Sequence, residues 1–278
     1  MTHMTATTNS STPSPTSPVS ISGEVLTIAV SSAAAGTSLD DVALVEGARV
    51  LNEVARGEHN VGAIVLTGSG PNFCAGGNVR AFAGAEHRPT YLREIADTFH
   101  TFVNALVGAD RPVVAAVKGW AAGAGMSLVL HADVAIGGAG TNLRPAYGGI
   151  GLTPDGGMTW TLPRIVGVAR ARDIILTNRV VSADDALAMG ILSRLVDDAE
   201  VESQAQAVAA QLAAGPRAAF VATRRLLTDS AQRSLPEQLL AEAASISTRS
   251  GEPEGAEGVD AFIGKRAPDF AAARNAAR

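Results

Sequence analysis

The apolar positions of this chain switch between a strand-like and a helix-like spacing. Residues 24–30, Glu-Val-Leu-Thr-Ile-Ala-Val, are β-branched and apolar and predict a strand. Leu39, Val42, Val45, Ala48, Leu51 and Val54 then recur at helical spacing, predicting a helix over 39–55 with Ser38 as its N-cap and Asp40 and Asp41 in its first turn. A buried strand is predicted over 61–67, closed by the breaker Gly68-Ser-Gly-Pro71. A helix over 91–107, a strand over 112–117, a short helix over 124–131 and a strand over 134–137 continue the alternation. The pattern predicts an α/β fold. From Ala183 onward helical patterns dominate, and 226–246 and 255–277 read as surface or interface helices.

The first twenty residues break this pattern. They hold fourteen Ser, Thr or Pro and no Lys, Arg, Asp or Glu, so 1–20 is expected to be a disordered tail, with order beginning near Ile21. A basic segment followed by an apolar one, as in a secretion signal, is not seen there. The expected organisation is therefore a tail (1–20), an α/β core carrying the site (21–210) and a helical region (211–278).

Composition narrows the function classes. Apolar residues make up 46% and aromatics only 4%, so small side chains must build a closely packed core. The net charge of -5, without a basic block, argues against nucleic acid as a partner. The most apolar stretch, 113–130, contains Lys118 and is rich in Gly and Ala, so no membrane span is expected. The single cysteine, Cys74, rules out a disulfide within the chain and fits a cytoplasmic location. The five histidines have no metal-site spacing, and no metal is expected.

Two glycine-rich turns, 68–78 and 118–127, each follow an apolar strand. Small residues such as Gly76 and Gly123 let a ligand approach the backbone, and N–H groups at a helix start favour negative charge. Two such groups converging on one point would stabilise charge developing on a carbonyl oxygen. Either turn alone would read as a tight connection. Neither is a dinucleotide or P-loop phosphate fingerprint.

The motifs resemble those of the crotonase (enoyl-CoA hydratase/isomerase) superfamily. Phe73-Cys-Ala-Gly-Gly-Asn78 is similar to its first signature, and Ala115-Ala-Val-Lys-Gly-Trp-Ala-Ala-Gly-Ala-Gly125 with His131-Ala-Asp133 to its second. Gly151-Leu-Thr-Pro-Asp-Gly-Gly157 and Leu162-Pro-Arg-Ile-Val-Gly167 resemble the third. The likeness continues through residues 177–186 and 190–196 to a closing segment at 261–270. It implies a spiral of repeated ββα units with a C-terminal helical region that trimerises, as a homotrimer or a dimer of trimers. It also implies an acyl-CoA substrate, with coenzyme A as part of the substrate and no separate cofactor. By this resemblance the backbone N–H groups of Ala75 and Ala124 are the oxygen donors.

The same resemblance places the two hydratase glutamates at Ser127 and Tyr147, and no Glu occurs between Glu94 and Glu200. Ordinary hydratase chemistry is therefore not expected. Asp155 aligns with the Asp that moves a proton between carbons in isomerase-like relatives, although Pro-Asp-Gly also reads as a turn. The leading expectation is an acyl-CoA isomerase with Asp155, Ala75 and Ala124 as its catalytic groups. Alternatives are another Asp-dependent reaction, such as thioester hydrolysis or dehalogenation, or a non-catalytic acyl-CoA binder. Cys74, Gly76, Asn78, Gly123, Ser127 and Tyr147 are expected around the acyl thioester. Arg80 and Lys265 are candidates for the CoA phosphates. Asn78 replaces the usual Asp, and the loop near residue 35 lacks the usual Asn-Arg-Pro.

Overall fold

The computed structural model describes residues 17–276. It opens with a hairpin of β1 (Val19–Ser22) and β2 (Val25–Ser32), turning at Gly23 with φ +57°. The expected start of order near Ile21 moves back to β1, where Val19 and Ser20 pair with Ile28 and Thr27; of the expected tail, 1–16 lie outside the described residues. After β3 (Ser38–Leu39) comes α1 (Asp41–Ala55). Its cap is Asp40 rather than the expected Ser38. The Asp40 carboxylate accepts from the Val42 and Ala43 N–H groups, while Ser38 is drawn into the strand. Next are β4 (Ala63–Ser69), α2 (Val79–Gly84), α3 (Arg88–Gly108), β5 (Val113–Val117), β6 (Trp120–Ala122), α4 (Ala124–Val129), β7 (Val134–Gly138) and β8 (Asn142–Arg144). The chain continues through α5 (Met158–Val166), α6 (Val168–Leu176), β9 (Val181–Ser182), α7 (Ala183–Ala188), β10 (Arg194–Val196) and α8 (Val201–Ala214).

The larger sheet runs β1-β2-β4-β5-β7-β10, with β3 also on β2, and is parallel from β2 to β10. A three-stranded sheet, β6-β8-β9, carries the second glycine turn. Side chains of a strand alternate between faces, so each parallel strand feeds two cores. Leu26, Ile28, Ile64, Leu66, Ala115 and Val117 join the core shared with α1 and α3. Val25, Ala63, Val65, Val114, Ala116 and Ile136 pack on Val201, Ala205, Val208 and Ala209 of α8. The expected boundary at 210/211 falls inside α8, which continues to Ala214.

The two long C-terminal helices expected from sequence are four: α9 (Arg217–Ser230), α10 (Leu235–Ser250), α11 (Pro253–Ile263) and α12 (Phe270–Ala276). The break after Ser230 follows from Pro236, which lacks an N–H and cannot sit inside a helix continuing from α9. Ser234 and Glu237 instead form a capping box that starts α10. Gly264 and Pro268 separate α11 from α12 in the same manner. These helices bury little of their own surface: Leu239, Leu240, Ile246, Phe262 and Ile263 are exposed. No helix among the described residues is long and apolar enough to cross a membrane.

Candidate active site

The two glycine turns lie beside each other at the ends of β4 and β5. Phe73 donates to the Lys118 carbonyl (2.7 Å), Cys74 to that of Trp120 (3.1 Å), and Ala122 returns a bond to the Cys74 carbonyl (2.8 Å). This short parallel pairing zips the first turn onto β6. Gly125 permits the fit, since a Cβ there would lie 2.3 Å from the Cys74 oxygen. Gly123, at φ +53°, then turns the chain into α4. A Cβ on Gly76 would sit 3.1 Å from the Ala122 oxygen, so the backbones approach with no side chain between them. Gly76, Gly77, Gly123 and Ala124 together form one wall of a cavity of about 450 Å³.

Ala75, Gly76, Gly77 and Ala124 all line this cavity, but the amides left free beside it differ in part from those expected. The Ala124 N–H is the first of α4, precedes any intrahelical acceptor, and is free of hydrogen bonds among the described residues. The Ala75 N–H is not free: it donates to the Thr37 carbonyl at 2.8 Å. This corrects the assignment of Ala75 as a donor. The segment before α1 runs alongside the first turn, with Leu39 donating to the Gly76 carbonyl (2.8 Å), and this pairing consumes the Ala75 amide. The next two amides, of Gly76 and Gly77, have no acceptor among the described residues. Gly76 is buried, whereas Gly77 is partly open on the cavity wall.

Asp155 lines the same cavity and is the one carboxylate among its lining residues. The Tyr147 hydroxyl donates to Asp155 Oδ1 at 2.6 Å. Burial first, and the Asp155 charge second, push the Tyr147 phenol above its ordinary range, so it stays protonated and keeps donating. Ser127, fully buried on α4, donates to the Asp155 main-chain oxygen (2.9 Å) and lies 3.4 Å from the Tyr147 hydroxyl. The next peptide is held on both sides. The Gly156 N–H donates to His100 Nε2 (3.2 Å), and His131 Nε2 lies 2.9 Å from the Gly156 oxygen. Burial lowers the His131 pKa, opposed by this bond to Gly156. Gly156 and Gly157, at φ +61° and +83°, make the turn that points Asp155 inward. The Pro-Asp-Gly turn and the placement of a carboxylate in the cavity are thus one feature.

The remaining expected residues separate. Tyr147 and Gly123 reach the cavity, but the Tyr147 hydroxyl is occupied by Asp155. Ser127 supports the site from behind the wall. Cys74 is a core residue: burial pushes its thiol up to about 12, and it is not on the wall. Asn78 caps α2, its side chain accepting from the Ala81 N–H (3.2 Å), and is exposed. Arg80 and Lys265 are exposed and lie off this wall. Sequence reasoning missed Gly77, although it sits inside the first motif. It also missed His100, a lone histidine in a helix with no local signal, and the wall residue Phe99, whereas Phe82 lies in the segment 82–91 expected to line the pocket.

Comparison with known proteins places this arrangement in context. The family model described as enoyl-CoA hydratase/isomerase matches residues 20–273. A Rhodobacter capsulatus protein named probable enoyl-CoA hydratase is 41% identical over 217 residues, 78% of this chain and 82% of that one. The 1,2-epoxyphenylacetyl-CoA isomerase of Escherichia coli K12 is 32% identical over 84% of this chain and 89% of its own length. Among solved structures, an enoyl-CoA hydratase from Polaromonas sp. JS666 superposes with a TM-score of 0.84 at 29% identity, covering 90% of this chain and 97% of that one.

Proposed function

Because this chain belongs to the enoyl-CoA hydratase/isomerase family, we propose that it is an acyl-CoA isomerase whose proton carrier is Asp155. The observation that carries this reading is a single carboxylate, held at 2.6 Å by Tyr147, in the cavity that is also lined by Ala124, whose amide is free among the described residues. In this reading the thioester oxygen sits between the Ala124 and Gly77 N–H groups, Gly77 taking the part first expected of Ala75. Asp155 removes a proton from the saturated carbon between the thioester carbonyl and the double bond. The C–H electron pair moves into the π system, and the charge gathers on the oxygen. Asp155 then returns the proton to a different carbon, so the double bond migrates with no net gain or loss of atoms. One carboxylate suffices for this shift.

Addition of water by a pair of glutamates is a poorer fit. The two positions concerned carry Ser127 and Tyr147, which are uncharged hydroxyls bonded into the Asp155 support. The isomerase name of the Escherichia coli relative supports the same choice. The reading includes a homotrimer or a dimer of trimers, supported by the exposed apolar residues of α10 and α11 and checked by light scattering. It includes the cytoplasm as compartment and no cofactor beyond the substrate's own CoA. Arg80 and Lys265 remain the proposed contacts for the CoA phosphates.

The test is proton exchange. A 3-enoyl-CoA incubated with the protein in deuterated water should move its double bond and take up deuterium, read by mass spectrometry. Asp155→Asn should lower both by about 10²- to 10⁴-fold while a saturated acyl-CoA still binds. Wild-type binding without exchange would leave an acyl-CoA-binding protein in place of an isomerase.

A further inference from the structure

Among the described residues, three buried side-chain polar atoms have no hydrogen-bond partner, and all three belong to arginines: Nε and Nη2 of Arg217 and Nε of Arg249. A buried N–H without an acceptor is costly, so a ligand that brought acceptors to these atoms would gain from each. Both arginines line one cavity of about 520 Å³ between α9, α10 and the segment before β5. It shares no lining residue with the cavity that holds Asp155. Arg111, Arg225 and Arg233 complete a lining of five guanidinium groups against one carboxylate, Asp229. Only 9% of Arg217 is exposed.

The acids nearby do not cancel this charge. Arg217 Nη2 lies 2.6 Å from Glu24 Oε2, without the alignment of a hydrogen bond, and the same carboxylate oxygen is shared with Arg274 at 3.4 Å. Arg225 pairs with Asp110, Arg233 with Asp229 (2.8 Å) and Arg249 with Glu252 (2.7 Å). Arg111 forms no ion pair among the described residues. Its Nε donates to the Val61 carbonyl and its Nη1 to those of Ala109 and Asp110, leaving Nη2 unbonded. Burial first, and the Arg217 charge next, lower the Arg111 pKa, and burial lowers that of Arg217 as well. Two buried cations that repel each other are both stabilised by an anion within reach of the pair. The planar guanidinium fork suits the oxygens of a phosphate, two N–H groups to two oxygens.

We propose that this cavity is a second binding site, for a phosphate group carried as the free ion or on a small organic ester, held by Arg111, Arg217 and Arg249. These three belong to the segment before β5, to α9 and to α10, so the bound anion fastens the C-terminal helices to the core. The proposal does not rest on the acyl-CoA reading of the other cavity.

The full chain is titrated by calorimetry with sodium phosphate and, separately, with glycerol 3-phosphate. Its melting temperature is followed in phosphate and in sodium chloride of equal ionic strength. Phosphate should bind with a dissociation constant of about 1 mM or tighter and raise the melting temperature beyond the effect of chloride. Tighter binding of glycerol 3-phosphate would identify an ester as the ligand, and tighter binding of phosphate the free ion; both support the site. Arg249→Gln should weaken either ligand at least about 10-fold, while hexanoyl-CoA affinity stays within about twofold. Arg111→Gln, on a different element, should give the same loss, so that a folding defect in one variant leaves the other to decide. Equal stabilisation by chloride, no binding of either ligand at about 10 mM, or an unchanged constant in a folded variant would overturn the proposal. So would loss of assembly in Arg249→Gln, seen by light scattering, in a protein that binds no phosphate; the cavity would then belong to a contact between copies.

Discussion

Replacing Tyr147 by Phe removes one oxygen atom and the 2.6 Å hydrogen bond that fixes Asp155 Oδ1. The ring remains and the cavity wall keeps its shape, so the change acts on the carboxylate. Hydrogen bonds to charged groups contribute roughly 1.5–3 kcal/mol, and losing one leaves Asp155 free to rotate away from the reacting carbon. If most of that difference is expressed in the transition state, kcat falls by about 10- to 150-fold. The affinity for a saturated acyl-CoA should stay within about twofold, because neither free amide is touched. The assay is isomerisation of a 3-enoyl-CoA, paired with calorimetric binding of hexanoyl-CoA. Wild type and variant should also share a flat profile at high pH through the ordinary range of a phenol, since burial and Asp155 keep Tyr147 protonated there. An unchanged kcat, or a loss confined to binding, would refute the role given to Tyr147 and to Asp155 through it.

Three further outcomes follow from the same geometry. Gly125→Ala should destabilise the protein by about 1–3 kcal/mol or more and abolish activity, because its Cβ would fall 2.3 Å from a main-chain oxygen that cannot swing aside; a melting-curve comparison checks this. Cys74 should resist a water-borne disulfide reagent in the native protein and react on unfolding, since burial holds the thiol near 12 and no thiolate forms at neutral pH. His131 has a folded pKa below its unfolded value of about 6.5, so its contribution to stability is present above that pH and is lost as pH falls through the folded value. Urea unfolding at pH 7.5 and 5.5 should show a drop at the lower pH that is smaller in His131→Gln.

What the chain reveals about its own site follows a physical division. Features set by local chemistry could be read directly: the β-branched strands, the two glycine turns, Asp155 in its turn and the absence of a glutamate pair. Features set by pairing between distant segments could not. Ala75 and Gly77 differ by two positions in one motif, and nothing in their side chains says which amide is left free of internal hydrogen bonds. That is decided by the Thr37 carbonyl, thirty-eight residues earlier, which takes the Ala75 N–H. Tyr147 presents the same problem, because its hydroxyl could have served a ligand until the turn at Gly156 and Gly157 brought Asp155 within 2.6 Å. His100 shows the limit most clearly. Its helix is amphipathic and legible, but its hydrogen bond to Gly156 spans 56 positions. The side chains that hold Asp155 therefore come from α3, α4 and the segment after β8. A site built this way fails as a unit: removing the Ser127, Tyr147 or His100 contact should loosen the same carboxylate, and the effects of paired substitutions should fall short of additive.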